Sequence, residues 1–152
     1  LLDVDGFKGI NDEYGHAAGD EILISVCNLI KEHTRVLDSL YRYGGDEFII
    51  APLSMDLKTA KKLAEKIRHI VENHKFIYDI KLTLSIGVSE YKSDDTPDSW
   101  ISRADISLYK AKNNGIKTRN HPFASFLNKN IYPKKCIEKN ITPQINPSLK
   151  EN

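Results

Sequence analysis

Residues 40–53 are patterned so that a β-hairpin is the economical way to satisfy them. Leu40-Tyr41-Arg42-Tyr43 and Phe48-Ile49-Ile50-Ala51-Pro52-Leu53 are rich in aromatic and branched side chains, which suit a pleated, half-buried strand. Gly44-Gly45-Asp46-Glu47 lies between them. Gly44 and Gly45 are placed to take the positive φ angles that a tight hairpin needs. A tip that presents two adjacent carboxylates adds little stability. Its hard oxygen ligands suit a divalent cation instead.

A second acidic cluster lies upstream. Leu1-Leu2-Asp3-Val4-Asp5 reads as a strand ending in acid, and alternation puts Asp3 and Asp5 on one face and Val4 on the other. A strand-end carboxylate facing a hairpin carboxylate is the layout of a phosphoryl-transfer metal site, where a cation bridges phosphates and offsets developing charge. The competing reading of Asp3 is a solvated strand end. Asp5 is expected to cap the helix that follows.

The periodicity elsewhere predicts a short helix over 7–14, with Phe7 and Ile10 in the core. Asp20 is expected to cap a longer helix to residue 32, with Ile22, Val26, Leu29 and Ile30 at helical spacing. After the hairpin, residues 57–74 form an amphipathic helix with Ala60, Leu63, Ala64, Ile67 and Val71 as its stripe. Residues 80–90 alternate as a strand, with Leu82, Leu84, Ile86 and Val88 on one face. Pro97 opens a last helix to about residue 113, which Gly115 ends. Helices on an antiparallel-rich sheet make an α+β domain.

Four blocks carry a family resemblance. They are Asp3 to His16 (Asp-Val-Asp-Gly-Phe-Lys-Gly-Ile-Asn-Asp-Glu-Tyr-Gly-His) with Gly19-Asp20, then Tyr41 to Phe48, then Leu82-Thr83-Leu84-Ser85-Ile86-Gly87-Val88. The last is Arg103-Ala104-Asp105 followed by Leu108 to Gly115. In this order the blocks resemble the GGDEF domain family, the diguanylate cyclases, over residues 1–118. The resemblance implies a palm-like nucleotidyl-cyclase fold, with a central, mostly antiparallel sheet flanked by helices. It implies condensation of two GTP into cyclic di-GMP plus pyrophosphate, with Mg2+ or Mn2+ as cofactor, a homodimer for catalysis, and product feedback.

The same resemblance assigns roles residue by residue. Asp3, Asp46 and the Val4 carbonyl would hold the metal, with Glu47 assisting the metal or the attacking hydroxyl. Lys8 would stabilise phosphate charge, or stand as an ordinary surface lysine. Asn11 and Asp20 match positions that read guanine, whose N1–H and amino group an Asp can accept from. His16 belongs to the same block and would contact substrate or steady its loop. Lys112 matches a lysine that reaches the triphosphate. Arg35-Val36-Leu37-Asp38 matches the family's inhibitory site for the product, where an Arg fork and an Asp suit a guanine edge. A surface ion pair is the plainer account of that motif. Gly115-Ile116-Lys117 departs from the usual Gly-Arg-Asn, so isoleucine stands in place of a phosphate-contacting arginine.

Composition bounds the rest. The 152 residues are 40% hydrophobic and 28% charged, ordinary for one globular domain. No apolar run approaches the roughly 20 residues of a membrane helix. A cytoplasmic location is expected, with a membrane-attached parent protein left open. Cys27 lies on an apolar helical stripe and reads as core, and Cys136 forms no motif with it. Residues 117–152 hold seven Lys or Arg against two Glu, net +5, which leaves −4 for the remainder of a chain of net +1. Residues 119–152 read as a basic, disordered tail, with too few aromatics to suggest nucleic-acid binding.

The resemblance further implies a helical segment and an Asp-x-Leu-Thr turn ahead of Leu1, and a regulatory region that dimerises the protein. The chain is therefore expected to be an N-terminally truncated domain. Three readings of its activity follow: a dimer-dependent cyclase, a module that has lost turnover but binds cyclic di-GMP or GTP as a sensor, or a non-functional fragment.

Overall fold

A computed structural model describes residues 1–115 and, as backbone, the pair 134–135. The chain order is β1 (Leu2–Val4), α1 (Phe7–Tyr14), α2 (His16–His33), β2 (Ser39–Arg42), β3 (Glu47–Ala51), α3 (Leu57–Asn73), β4 (Leu84–Ile86), α4 (Pro97–Gly115) and β5 (Lys134–Lys135). All pairings are antiparallel, in the spatial order β4-β1-β3-β2-β5. The expected α+β class is what forms. The register sets the two faces. Leu2 lies opposite Phe48 and Ile86, and Asp3 opposite Glu47 and Ser85.

One face therefore carries Leu2, Val4, Phe48 and Leu84, which pack in one cluster with Ile22, Val26 and Ile30 of α2 and Ile67 and Val71 of α3. Each such side chain removed from water contributes about 1.5–3 kcal/mol, so this layer dominates stability. Cys27 is buried there, as expected, and so is Phe7, while Ile10 is half-buried against the cluster. The opposite face holds Asp3, Glu47 and Ser85, and α4 lies over it. Gly87 permits that approach, because a Cβ there would sit 2.1 Å from the Ala104 carbonyl oxygen and 2.3 Å from the Leu108 nitrogen. The indole of Trp100 donates to the Ser89 carbonyl at 3.1 Å, and Arg103 pairs with Asp95 and donates to the Glu90 carbonyl at 2.8 Å. These contacts fix the start of α4.

Four local expectations are corrected. Asp5 does not cap α1: the cap position is Gly6, at φ 72°, and the Asp5 carboxylate instead accepts from the hydroxyls of Thr83 and Ser85, each at 2.7 Å. Asp20 does not cap α2, which starts at His16 after Gly15, at φ 83°. The earlier start wins because Ala18 and Gly19 must be buried against α1, and only a helix begun before them presents them there. Gly44 and Gly45 use no positive φ. The loop closes instead through the Glu47 carbonyl, which accepts from the N–H groups of Tyr43 (2.8 Å) and Gly44 (3.3 Å). The Arg42 guanidinium also donates to the Gly45 carbonyl.

The fourth correction concerns β4, which is shorter than the alternating stretch 80–90. It is a strand only where the three residues of β1 supply a partner, since nothing pairs with its other edge among the described residues. Among the described residues, no helix is long and apolar enough to cross a membrane. The tail expectation falls outside the described residues, apart from Lys134 and Lys135, whose backbone pairs with Tyr41 and Arg42. Ile116 also lies outside them.

Candidate active site

The sheet register assembles an acidic centre from residues distant in sequence. Asp3 on β1 is flanked by Glu47 on β3, and Asp46 precedes Glu47 in the loop. The Val4 N–H donates to the Asp46 carbonyl at 3.2 Å. In an extended strand a residue's carbonyl points the same way as its N–H, so the Val4 carbonyl also faces this loop. From above, Lys112 in the last turn of α4 places its Nζ 2.7 Å from Asp3 Oδ2. Sequence spacing of over a hundred residues becomes one ion pair because α4 runs along the sheet face that carries Asp3.

The electrostatics show a centre short of positive charge. Asp3 is 8% exposed, and burial pushes its carboxyl up to about 6. The Lys112 ammonium opposes that rise, while Asp46 and Asp5 add to it. Glu47 is also raised, first by burial and then by the charges of Asp3 and Asp46, with Lys112 again opposing. Tyr43 is raised by burial, and next by Glu47, Asp105 and Asp98. The carboxylates of Asp3, Asp5, Asp46 and Glu47 thus share, among the described residues, one nearby ammonium, that of Lys112. Among the described residues, no group of three or more His, Cys, Asp or Glu side chains forms a metal cage. A hard cation here would have to complete its shell with main-chain carbonyl or ligand oxygens, as Mg2+ commonly does. The donor set fits such an ion.

Because Asp3 holds its proton more tightly folded (about 6) than at its ordinary value of 3.8, its ionised form opposes folding. That contribution to stability is full below about pH 4 and is lost as pH rises through about 6. We expect Asp3→Asn, without divalent cation, to melt above the parent at about pH 7.5, with the gap closing below about pH 4. Thermal melts across that range check this, and equal melting points at the higher pH would contradict it.

The remaining sequence-derived positions lie elsewhere. Asn11 is half-buried at the α1–α2 junction, and its Oδ1 is buried without a hydrogen-bond partner. A Cβ on Gly19 would come 2.0 Å from that oxygen, so Gly19 is what admits Asn11. Asp20 and His16 are exposed on α2, and Lys8 is exposed on α1. Among the described residues, no hydrogen bond or ion pair joins these three to the acidic centre; they belong to the α1–α2 layer beside it. Arg35 is exposed, and the surface ion pair that was the plainer account of this motif does not form. The Asp38 carboxylate instead accepts from the main-chain N–H of Arg35 (3.0 Å) and of Leu53 (3.4 Å), which ties the turn to the end of the hairpin. Sequence reasoning also misplaced Asp5, which ties β1 to β4 beside Asp3. Matching alternation of Asp5 with Thr83 and Ser85 was the available signal, but their pairing was not.

The family model described as diguanylate cyclase, GGDEF domain, matches residues 1–118. Diguanylate cyclase A of Treponema denticola is 46% identical over 119 residues, covering 76% of this chain and 32% of that protein. The chain thus spans about a third of that relative's length. Among solved structures, the active GGEEF domain of a diguanylate cyclase from Vibrio cholerae superposes with a TM-score of 0.71 at 38% identity, covering 75% of this chain and 74% of that one. The GGDEF domain of DgcB from Caulobacter crescentus, in complex with c-di-GMP, gives a TM-score of 0.66 at 30% identity, covering 75% and 70%.

Proposed function

The chain belongs to the GGDEF family of diguanylate cyclases, and from that premise we propose that it condenses two GTP molecules into cyclic di-GMP and pyrophosphate. The observation that carries the reading is the meeting of Asp3, Asp46 and Glu47 beneath Lys112.

Asp3, Asp46 and the Val4 carbonyl would hold Mg2+ or Mn2+, which when bound supplies positive charge to the reacting phosphate. Glu47, with its raised pKa, is a better proton acceptor than an ordinary carboxylate and would receive the 3′-hydroxyl proton of the bound nucleotide. Lys112 and Lys8 would bind and orient the phosphates. At the α1–α2 junction, the unpartnered Asn11 Oδ1 is an acceptor awaiting a donor, which a guanine N–H can supply. Asp20 would take the second guanine donor, and His16 would steady the base's surroundings.

One copy of the chain presents one such centre, whereas the reaction joins two nucleotides, each attacking the other. A homodimer with facing centres satisfies this, with in-line alignment set by the two protomers. A regulatory region outside this sequence would bring the copies together. Arg35 and Asp38 would bind the product for feedback, with the Asp38-braced turn presenting the exposed Arg35 side chain. One of the similar domains is itself a complex with c-di-GMP. A nucleoside triphosphate substrate implies a cytoplasmic site of action.

The test is incubation of the chain with GTP and Mg2+ at low and high protein concentration, with and without added cyclic di-GMP, and product identified by mass. The expected result is cyclic di-GMP whose specific rate rises with protein concentration and falls when product is added. A cooperatively folded chain that forms no product at any concentration would refute the cyclase assignment. Binding of cyclic di-GMP to such a chain would then separate a sensor module from a non-functional fragment.

A further inference from the structure

The Lys112–Asp3 pair is unequal. The Asp3 side chain is 11% exposed and is held between Glu47 and Ser85 on neighbouring strands, whereas the Lys112 side chain is 40% exposed at the end of a flexible stem. The carboxylate cannot leave, and the ammonium can. A divalent cation on Asp3 would place like charges side by side if Lys112 stayed, so the two compete for one carboxylate. Asp46 and Glu47 add negative charge that favours the higher-valent ion.

We propose that Lys112 is a removable internal counter-ion of the cation seat. Its ammonium neutralises Asp3 in the resting domain, a divalent cation displaces it, and the freed side chain then meets the incoming triphosphate. The proposal rests on the reading of Asp3 as a cation ligand. It goes beyond that reading by coupling the metal to the lysine. Cation and triphosphate then bind synergistically, because each favours the state in which Lys112 has left Asp3.

The experiment uses the chain without nucleotide. Mn2+ binding is followed by loss of the free-ion paramagnetic signal for the parent, Lys112→Met, Lys112→Arg and Asp3→Asn. Removing the competing charge is expected to tighten Mn2+ binding in Lys112→Met about tenfold. Lys112→Arg keeps the charge and should bind no tighter than the parent, and Asp3→Asn should lose the site.

A second readout needs no variant. Acylation of Lys112 by an amine-reactive ester, located by peptide mass, should speed up about tenfold in the parent when Mn2+ is saturating. This readout decides the matter alone if Lys112→Met does not fold. Mn2+ affinity unchanged in Lys112→Met, or acylation unchanged at saturation, with Asp3→Asn still losing the site, would overturn the counter-ion while leaving the cation seat. Mn2+ binding that survives Asp3→Asn, or is absent from every folded form, would overturn both.

Discussion

Asp46→Ala is expected to lower cyclic di-GMP formation about a thousandfold, the scale of losing a group that organises charge in a transition state, while the chain still melts cooperatively. The structure separates the two effects. The main-chain carbonyl of Asp46, not its side chain, receives the Val4 N–H, so truncation at Cβ leaves the loop's bond to β1 in place. The Asp46 charge pushes up both Asp3 and Glu47, so its removal relieves repulsion and should leave the melting temperature unchanged or slightly higher. Rates by mass-identified product and melts on the same preparation check both halves. A variant that keeps more than about a tenth of the parent rate would remove Asp46 from the chemistry.

Gly87→Ala is expected to cost about 3 kcal/mol or more of folding stability, the upper range for overpacking. The atoms a Cβ would meet are the Ala104 carbonyl oxygen at 2.1 Å, the Leu108 nitrogen at 2.3 Å and the Leu108 Cα at 2.8 Å. All three are backbone, so no rotamer change relieves the clash, and α4 has to lift from β4. Lifting it uncovers Ala104 and Leu108, which are 7% and 2% exposed, and draws Lys112 away from Asp3. In a domain of this size the melting temperature should fall on the order of 15 °C. Denaturant titration gives the free energy, and a loss under about 1 kcal/mol would mean that α4 does not press on β4 as described. By contrast, a Cβ on Gly45 would meet nothing within 4 Å, so Gly45→Ala serves as the benign control.

Legibility in sequence followed the range of the interactions involved. α1 came out with the expected bounds because two glycines bracket it and its apolar positions are local. The buried stripe of α2 was readable from Ile22, Val26 and Ile30, yet its start was not, since the burial of Ala18 and Gly19 against α1 outweighed the local capping preference of Asp20. The hairpin was readable as a hairpin. Its closure was not, because Arg42 and the Glu47 carbonyl tie the loop without any left-handed glycine. For β4, alternation marked a long extended stretch, and only the length of β1 decided how much of it pairs.

By itself, the order of residues determined which charged side chains the candidate site can draw on: carboxylates at Asp3, Asp46 and Glu47, and cations at Lys8, Arg35 and Lys112. Periodicity, turn chemistry and motif spacing act over a few residues and survive in one dimension. Tertiary structure alone decided which of those groups meet. Antiparallel register set Glu47 beside Asp3, and the absence of a side chain at Gly87 let α4 lie close enough to bring Lys112 onto Asp3. The same packing turned Asp5 from a helix cap into the tie between β1 and β4. The physical reason is that a charge's partner and its desolvation depend on distance through space, and these pairs lie from 44 (Asp3 and Glu47) to 109 (Asp3 and Lys112) residues apart along the chain.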